Sequence, residues 1–151
     1  MSVFVVRHAK AGHRHSWEGD DHVRPLSKPG WAQAAVIADR LAGEMITSLH
    51  ASPYARCLQT LEPLADRLGM KVIPDERLAE GASFVDSLGL LLEAGDGAVL
   101  CSHGDVIPEL IDSLHRRGME LAGRPDWRKG TIWVLEVEGD RAIRGAVEPP
   151  P

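Results

Sequence analysis

The sequence predicts a three-layer α/β/α fold with a mostly parallel central sheet and an antiparallel C-terminal edge hairpin. Short apolar runs such as Val3–Val6 alternate with longer segments whose apolar residues recur every three or four positions. That alternation implies right-handed crossovers and a sheet covered by helices on both faces. Near the C-terminus, Gly139-Asp140 separates two strand-like runs at hairpin spacing. A length of 151 residues suits a single domain, residues 1–151, with one sizeable core.

The first strand is Val3 to Val6, and it stops abruptly at Arg7-His8. Residues 9–26 read as a long polar loop broken by Gly12, Gly19 and Pro25; loops of this length in a compact domain are often functional. Ser27 is placed to cap a helix with Pro29 in its first turn, and Trp31, Ala34, Ala35, Ala38, Leu41 and Ala42 form its apolar stripe. A second strand is expected over residues 45–51, then a helix with Ser52 as N-cap and Pro53 as first residue. Pro63 should kink or divide that helix, and Gly69 ends it.

Lys71 to Pro74 make a short strand, 75–81 a polar connection, and Phe84 to Leu92 a third helix. The run Gly97 to Gly104 repeats the opening pattern, since an apolar strand again ends in a histidine, His103. Asp105 is expected to cap the following helix, whose buried face is Ile107, Leu110, Ile111 and Leu114 and whose end is marked by Arg116, Arg117 and Gly118. A connection without regular structure then leads to strands over 131–137 and 141–147. Trp31 and Trp133 are expected in the core, with Trp17 and Trp127 in loops near the pocket or over the core.

In a sheet of this kind every strand-to-helix junction opens on the same edge, where ligands collect. Three junctions carry unusual chemistry: the first offers Arg7, His8 and Lys10, the second Arg56 in the first helical turn, and a later one His103. Guanidinium groups bind phosphate bidentately, and free amides at helix starts add to the positive field. One histidine can attack phosphorus while the other, protonated, stabilises charge on the equatorial oxygens. Between Arg7 and His15 there are three basic residues and three histidines but no acid, whereas the whole chain carries a net charge of −5. A local basic pocket on an acidic protein suits a small anion and argues against nucleic acid as partner. Neither a signal peptide nor an apolar run of membrane-spanning length is present, so the expected location is the cytoplasm, with no membrane partner. The two cysteines, Cys57 and Cys101, have no metal or redox spacing and read as free thiols.

Val6-Arg7-His8-Ala9, Ser52-Pro53-Tyr54-Ala55-Arg56-Cys57-Leu58-Gln59-Thr60 and Ser102-His103-Gly104 resemble the signature segments of the histidine phosphatase superfamily, the phosphoglycerate-mutase-like fold. Arg24-Pro25-Leu26-Ser27, with Gly30 and Gln33, resembles its small SixA-type branch of phosphohistidine phosphatases. The resemblance spans residue 3 to about residue 137. It implies that His8 is a nucleophile that becomes phosphorylated, that Arg7, Arg56 and His103 complete the phosphate pocket, and that no cofactor or metal is needed. The family's general acid is usually a carboxylate in a Leu-x-Glu context, matched here by Leu78-Ala79-Glu80; Glu76 and Asp105 are the alternatives. Lys10 is the candidate substrate contact on the rim.

The usual glycine after the Arg-His pair is Ala9 here, and no long insertion separates Arg56 from Glu80. A pocket without a lid suits phosphohistidine on a protein, or one end of a phosphorylated small molecule. The segments 7–12, 57–65, 106–108 and 128–134 also resemble the histidine-phosphatase domain fused to some actinobacterial Nudix hydrolases. That resemblance implies nucleoside di- or polyphosphates as the alternative substrate, with Lys129, Arg124 and Arg128 as a nucleotide rim or as ordinary surface charge. Two rival readings are a metal-dependent hydrolase using His13, His15, Asp20, Asp21 and His22, whose spacing matches no ligand pattern, and a non-catalytic phosphate-binding module.

Overall fold

The computed structural model describes residues Met1–Pro151. In chain order it contains β1 (Ser2–Arg7), α1 (Lys28–Leu41), β2 (Ser48–Ala51), α2 (Ala55–Leu68), β3 (Val72–Pro74), α3 (Phe84–Ala94), β4 (Ala98–Ser102), α4 (Val106–Arg116), β5 (Glu120–Ala122), β6 (Ile132–Glu138) and β7 (Arg141–Glu148). One seven-stranded sheet has the order β3-β2-β4-β1-β6-β7-β5. β3, β2, β4 and β1 are mutually parallel. β6 runs antiparallel to both β1 and β7, and β5 joins β7 in parallel.

The side-chain alternation of strands sorts the core onto the two faces. Val3 and Val5 of β1, with Ala98 and Leu100 of β4, pack against Leu90, Leu91, Leu110 and Ile111 of α3 and α4. Phe4 and Val6, with Val99 and Cys101, pack against Ile37, Leu41, Leu61 and Leu64 of α1 and α2. This is the expected three-layer arrangement. No helix is long and apolar enough to cross a membrane.

Several local expectations are corrected. The antiparallel hairpin lies one place inside the sheet, because β5, expected as irregular chain, forms the edge. The second strand is shorter than 45–51, beginning at Ser48. Helix α2 starts at Ala55 with Tyr54 in the N-cap position, so Ser52 does not cap it. Pro63 neither ends nor divides α2, which runs undivided for 14 residues. Asp105 occupies the N-cap position of α4 but makes no capping bond; its carboxylate accepts from the Gly81 amide at 2.8 Å instead. Trp31 is 38% exposed rather than core, while Trp133 is buried with Trp127 stacked on it at 5.2 Å.

Residues 9–26 are a tethered loop containing two single 3-10 turns, Arg14–Ser16 and Asp21–Val23, and a bridge between Ala11 and Leu26. Its tethers explain one stretch of sequence. Thr60 of α2 donates to the Arg56 carbonyl and accepts from the Ala9 amide, and Gln59 accepts from the Leu26 amide. The start of α1 lies flush on the same loop, since Ser27 donates through both its amide and hydroxyl to the Lys10 carbonyl. A Cβ on Gly30 would stand 1.8 Å from that carbonyl oxygen, so only glycine permits the approach.

Candidate active site

The C-terminal ends of β1 and β4 lie side by side, with Arg7 paired to Ser102 in register. His8 and His103 therefore leave the sheet as neighbours, their ring centroids 5.5 Å apart in an edge-on arrangement. The β2–α2 junction alongside brings Arg56. These residues border a cavity of about 420 Å³ at the sheet edge, and no hydrophobic side chain lines it. Arg7, Arg14, Arg24, Arg56 and Lys129 face only two lining carboxylates, Glu80 and Asp105. An excess of cations in a polar depression is an anion site.

His8 is buried, and its Nδ1 lies 2.8 Å from the Ala9 carbonyl oxygen. A carbonyl can only accept, so Nδ1 carries the proton and the Nε2 lone pair is left free. Burial lowers the His8 pKa to about 3, against the pull of the Ala9 carbonyl and with help from the charges of His103, Arg56 and Arg7. The ring is thus neutral at physiological pH, with an unprotonated Nε2.

Arg7 donates through Nη1 to the Trp127 carbonyl at 2.5 Å, while its buried Nε has no protein partner. Burial draws the guanidinium below its ordinary pKa, and Asp105 opposes that drift. The guanidinium lies against the Gly104 backbone so closely that a Cβ there would meet it at 2.7 Å. Arg56 is 1% exposed and donates to the carbonyl and carboxylate of Asp21 at 3.0 and 3.1 Å; its Nε is also buried and unpartnered. The two buried guanidinium nitrogens without acceptors are donors in want of an anion.

His103 engages Ser52 Oγ through Nε2 at 2.8 Å, and Cys57 Sγ lies 3.6 Å from the same nitrogen. Nδ1 is the nitrogen left to serve a ligand. Tyr54 packs edge-on to His103 at 4.7 Å and sits 4.9 Å from the Arg56 guanidinium.

Glu80 lines the cavity, with one carboxylate oxygen 2.8 Å from Arg14 and the other 3.5 Å from Arg56. Asp105 also lines it, whereas Glu76 is exposed and does not. Lys10 is not brought to this cavity; its exposed side chain lies at an adjoining one. Two residues of importance entered the sequence reading without a place in this site, Arg24 as part of a family motif and Asp21 as a rival metal ligand. Arg24, buried to 5% exposure, donates to Asp21 and to the Gly12 carbonyl, and Asp21 thereby joins Arg24 to Arg56. Partial burial pushes the Asp21 carboxyl up, but hydrogen bonds from Arg24 and the charges of Arg56 and Arg24 outweigh that and hold it below its usual range. The available signal was the acidic triplet Glu18, Asp20 and Asp21 directly after a basic run. Asp20, another carboxylate of that loop, pairs with His22, and no three His, Cys, Asp or Glu side chains gather as a metal cluster.

Two adjacent histidines, two arginines with buried, unpartnered Nε atoms and a carboxylate at the carboxyl edge of a parallel sheet make an anion site of the kind α/β proteins carry there. The model of the histidine phosphatase superfamily, branch 1, matches residues 3–86, and the chain belongs to that superfamily. An 8-oxo-(d)GTP phosphatase of Mycolicibacterium smegmatis is 36% identical over 156 aligned positions, covering 99% of this chain and 48% of the relative. The chain spans about half the length of the curated relatives first matched. Among solved structures, the protein histidine phosphatase SixA complexed with tungstate superimposes with a TM-score of 0.78 at 22% identity, covering 99% of this chain and 96% of that one. A mycobacterial glucosyl-3-phosphoglycerate phosphatase gives 0.74 at 17% identity, covering 98% and 97%. These likenesses show the same SixA-like, phosphoglycerate-mutase-like fold.

Proposed function

We propose that this protein is a phosphatase that works through a covalent phosphohistidine on His8, without a metal. The observation that carries the reading is the free Nε2 of a neutral, buried His8 inside a ring of cations. In the first step the Nε2 lone pair attacks phosphorus in line, the bond from phosphorus to the leaving atom breaks, and Glu80 supplies the proton that the leaving group takes. Arg7, Arg56 and His103 bind the phosphoryl oxygens as charge spreads over them. The developing positive charge on the ring is held through Nδ1–H by the Ala9 carbonyl. In the second step water attacks the same phosphorus, the carboxylate of Glu80 accepts its proton, and the N–P bond returns its electron pair to Nε2. Lys10, which lines the adjoining cavity, has no part in these steps.

Protein phosphohistidine is the first substrate reading, because no long insertion separates Arg56 from Glu80 and an imidazole leaving group asks little of the acid. Nucleoside di- or polyphosphates are the second, supported by the 36% identity to an 8-oxo-(d)GTP phosphatase. The test is to quench the enzyme during turnover of a phosphohistidine protein, a nucleoside diphosphate and an aryl phosphate. An acid-labile, base-stable phosphoenzyme is expected, and it should vanish in His8→Ala. Persistence of that species in His8→Ala removes the nucleophile assignment, and negligible turnover of all three substrates favours a phosphate-binding module.

A further inference from the structure

Beside the phosphate cavity lies a second one of about 460 Å³, bordered by Arg7, Lys10, Gln33, Arg128, Lys129 and the Pro150–Pro151 tail. The two cavities are adjoining rooms, because Arg7 and Lys129 line both. The second is also built for an anion. Its cations are Arg7, Lys10, Arg128 and Lys129, and none of its lining side chains is acidic. Arg128 is already neutralised by Asp126 at 2.6 Å, but neither Lys10 nor Lys129 makes an ion pair. Gln33 is 6% exposed; its Oε1 accepts from the Lys10 amide, which fixes the side chain and leaves its amide nitrogen without a protein acceptor.

Lys129 stands at the junction, half-buried. Burial and then the charges of Arg7, Arg24, Arg56 and Arg14 draw its ammonium below the ordinary lysine pKa. A lysine held among arginines with no carboxylate of its own is an unfavourable arrangement for the empty protein, and a bound anion relieves it. The phosphoryl group transferred to His8 already has Arg7, Arg56 and His103. Lys129, on the border of the two cavities, and Lys10, in the second alone, are surplus to it.

We infer that this second cavity is a subsite for a further phosphate group of the substrate, contacted by Lys129, Lys10 and the Gln33 amide, so that among small-molecule substrates phosphoanhydrides and bisphosphates are preferred over simple monoesters. The inference rests on the phosphatase reading and deepens it. Arg7, shared by both cavities, bridges the transferred phosphoryl group and the retained phosphate. In an anhydride the retained phosphate is also the leaving group, and Lys129 then stabilises the charge that accumulates on it as the P–O bond breaks.

Calorimetry on the intact protein with methylenediphosphonate and methylphosphonate reads the subsite without turnover. The diphosphonate should bind at least about tenfold tighter, the effect expected of one added charge-assisted phosphate–lysine contact. Lys129→Gln and Lys10→Gln should each shrink that ratio, and both together should bring it near one. In kinetics the same substitutions should lower the ratio of kcat/KM for a purine nucleoside diphosphate, or for a sugar bisphosphate, over kcat/KM for an aryl monophosphate. The diphosphate source with the larger fall is the one the subsite serves. Equal affinity for the two phosphonates, or equal proportional losses on all substrates, overturns the subsite while the phosphoenzyme on His8 leaves the phosphatase reading standing. Failure to bind either phosphonate, with no phosphoenzyme, overturns both.

Discussion

Replacing His8 by asparagine tests the buried neutral imidazole independently of any substrate. The unfolded chain takes up a proton on this histidine near the ordinary value of 6.5, whereas the folded protein refuses it until about 3. The folded state therefore binds fewer protons between those values, so stability rises with pH across the window and falls as acid is added. Each pH unit inside the window is worth about 1.4 kcal/mol for one such group. Between about pH 7.5 and about pH 4.5, His8 alone should remove about 2.6 kcal/mol of folding free energy. Asparagine can keep a donor to the Ala9 carbonyl but has nothing to titrate. Urea unfolding of both proteins at the two pH values isolates the difference, because the carboxylates that also titrate there, Asp21 and Asp75 among them, are common to both. His8→Asn should lose about 2–3 kcal/mol less on acidification than the parent. Equal losses would refute the claim that burial keeps the ring neutral.

Glu80→Gln should slow aryl phosphates in proportion to the basicity of the leaving group and should spare phosphohistidine; a penalty independent of leaving group transfers the acid role to Asp105. Gly104→Ala should displace the Arg7 guanidinium, raising KM for phosphate monoesters at a stability cost of about 1–3 kcal/mol, whereas Gly30→Ala, blocked by backbone, should cost more in thermal unfolding and act through the loop. Asp21→Asn strips the shared counter-charge from Arg24 and Arg56 and should destabilise by about 1–3 kcal/mol. Added orthophosphate should restore more stability to that variant than to the parent, since a ligand that replaces the missing anion stabilises by mass action; an identical phosphate-induced shift in Tm for the two proteins counts against a shared anion site.

What could be read in the sequence follows from how local the determining physics is. Arg7, His8 and His103 sit where apolar strands end, and Arg56 sits in the first turn of a helix; in a parallel sheet those places converge whatever the loops do. Glu80 was legible only by its motif context, and the cavity brings Asp105 alongside it. Arg24 was legible only as part of a motif and Asp21 only as a rival metal ligand, because both act through the folding of an 18-residue loop over α2, a path that no periodicity describes. The same holds for Ser52, whose helix-start chemistry suggested a cap but whose hydroxyl turns to His103. Strand β5 has three residues in a segment rich in turn formers, and its parallel pairing with β7 comes from the register of the sheet rather than from its own pattern. Lys10 looked like a site residue because it follows His8 by two positions; the bonds from Lys10 to Gln33 and Ser27 carry its backbone past the pocket into the neighbouring cavity.

On the proposed mechanism the proton and the phosphoryl group compete for the same nitrogen, and the surroundings of His8 decide between them by charge. Desolvation and the nearby Arg7 and Arg56 guanidiniums oppose adding a lone positive charge at Nε2, which is why the ring resists acid. A phosphoryl group brings anionic oxygens with it, and the unpartnered Nε atoms of both arginines are donors for such oxygens. The field that repels one electrophile thus attracts the other. The Ala9 carbonyl fixes the proton on Nδ1 and favours positive charge on the ring whichever electrophile brings it, so the choice between the two is left to the arginines and to burial. Removing either arginine should therefore weaken phosphate binding and at the same time make His8 easier to protonate. A single substitution, Arg56→Gln, should move both observables together: weaker orthophosphate binding by calorimetry and a His8 imidazole resonance that titrates at higher pH by NMR. If phosphate binding weakens while the His8 titration stays where it is, the two effects come from separate sources and the shared-field argument fails.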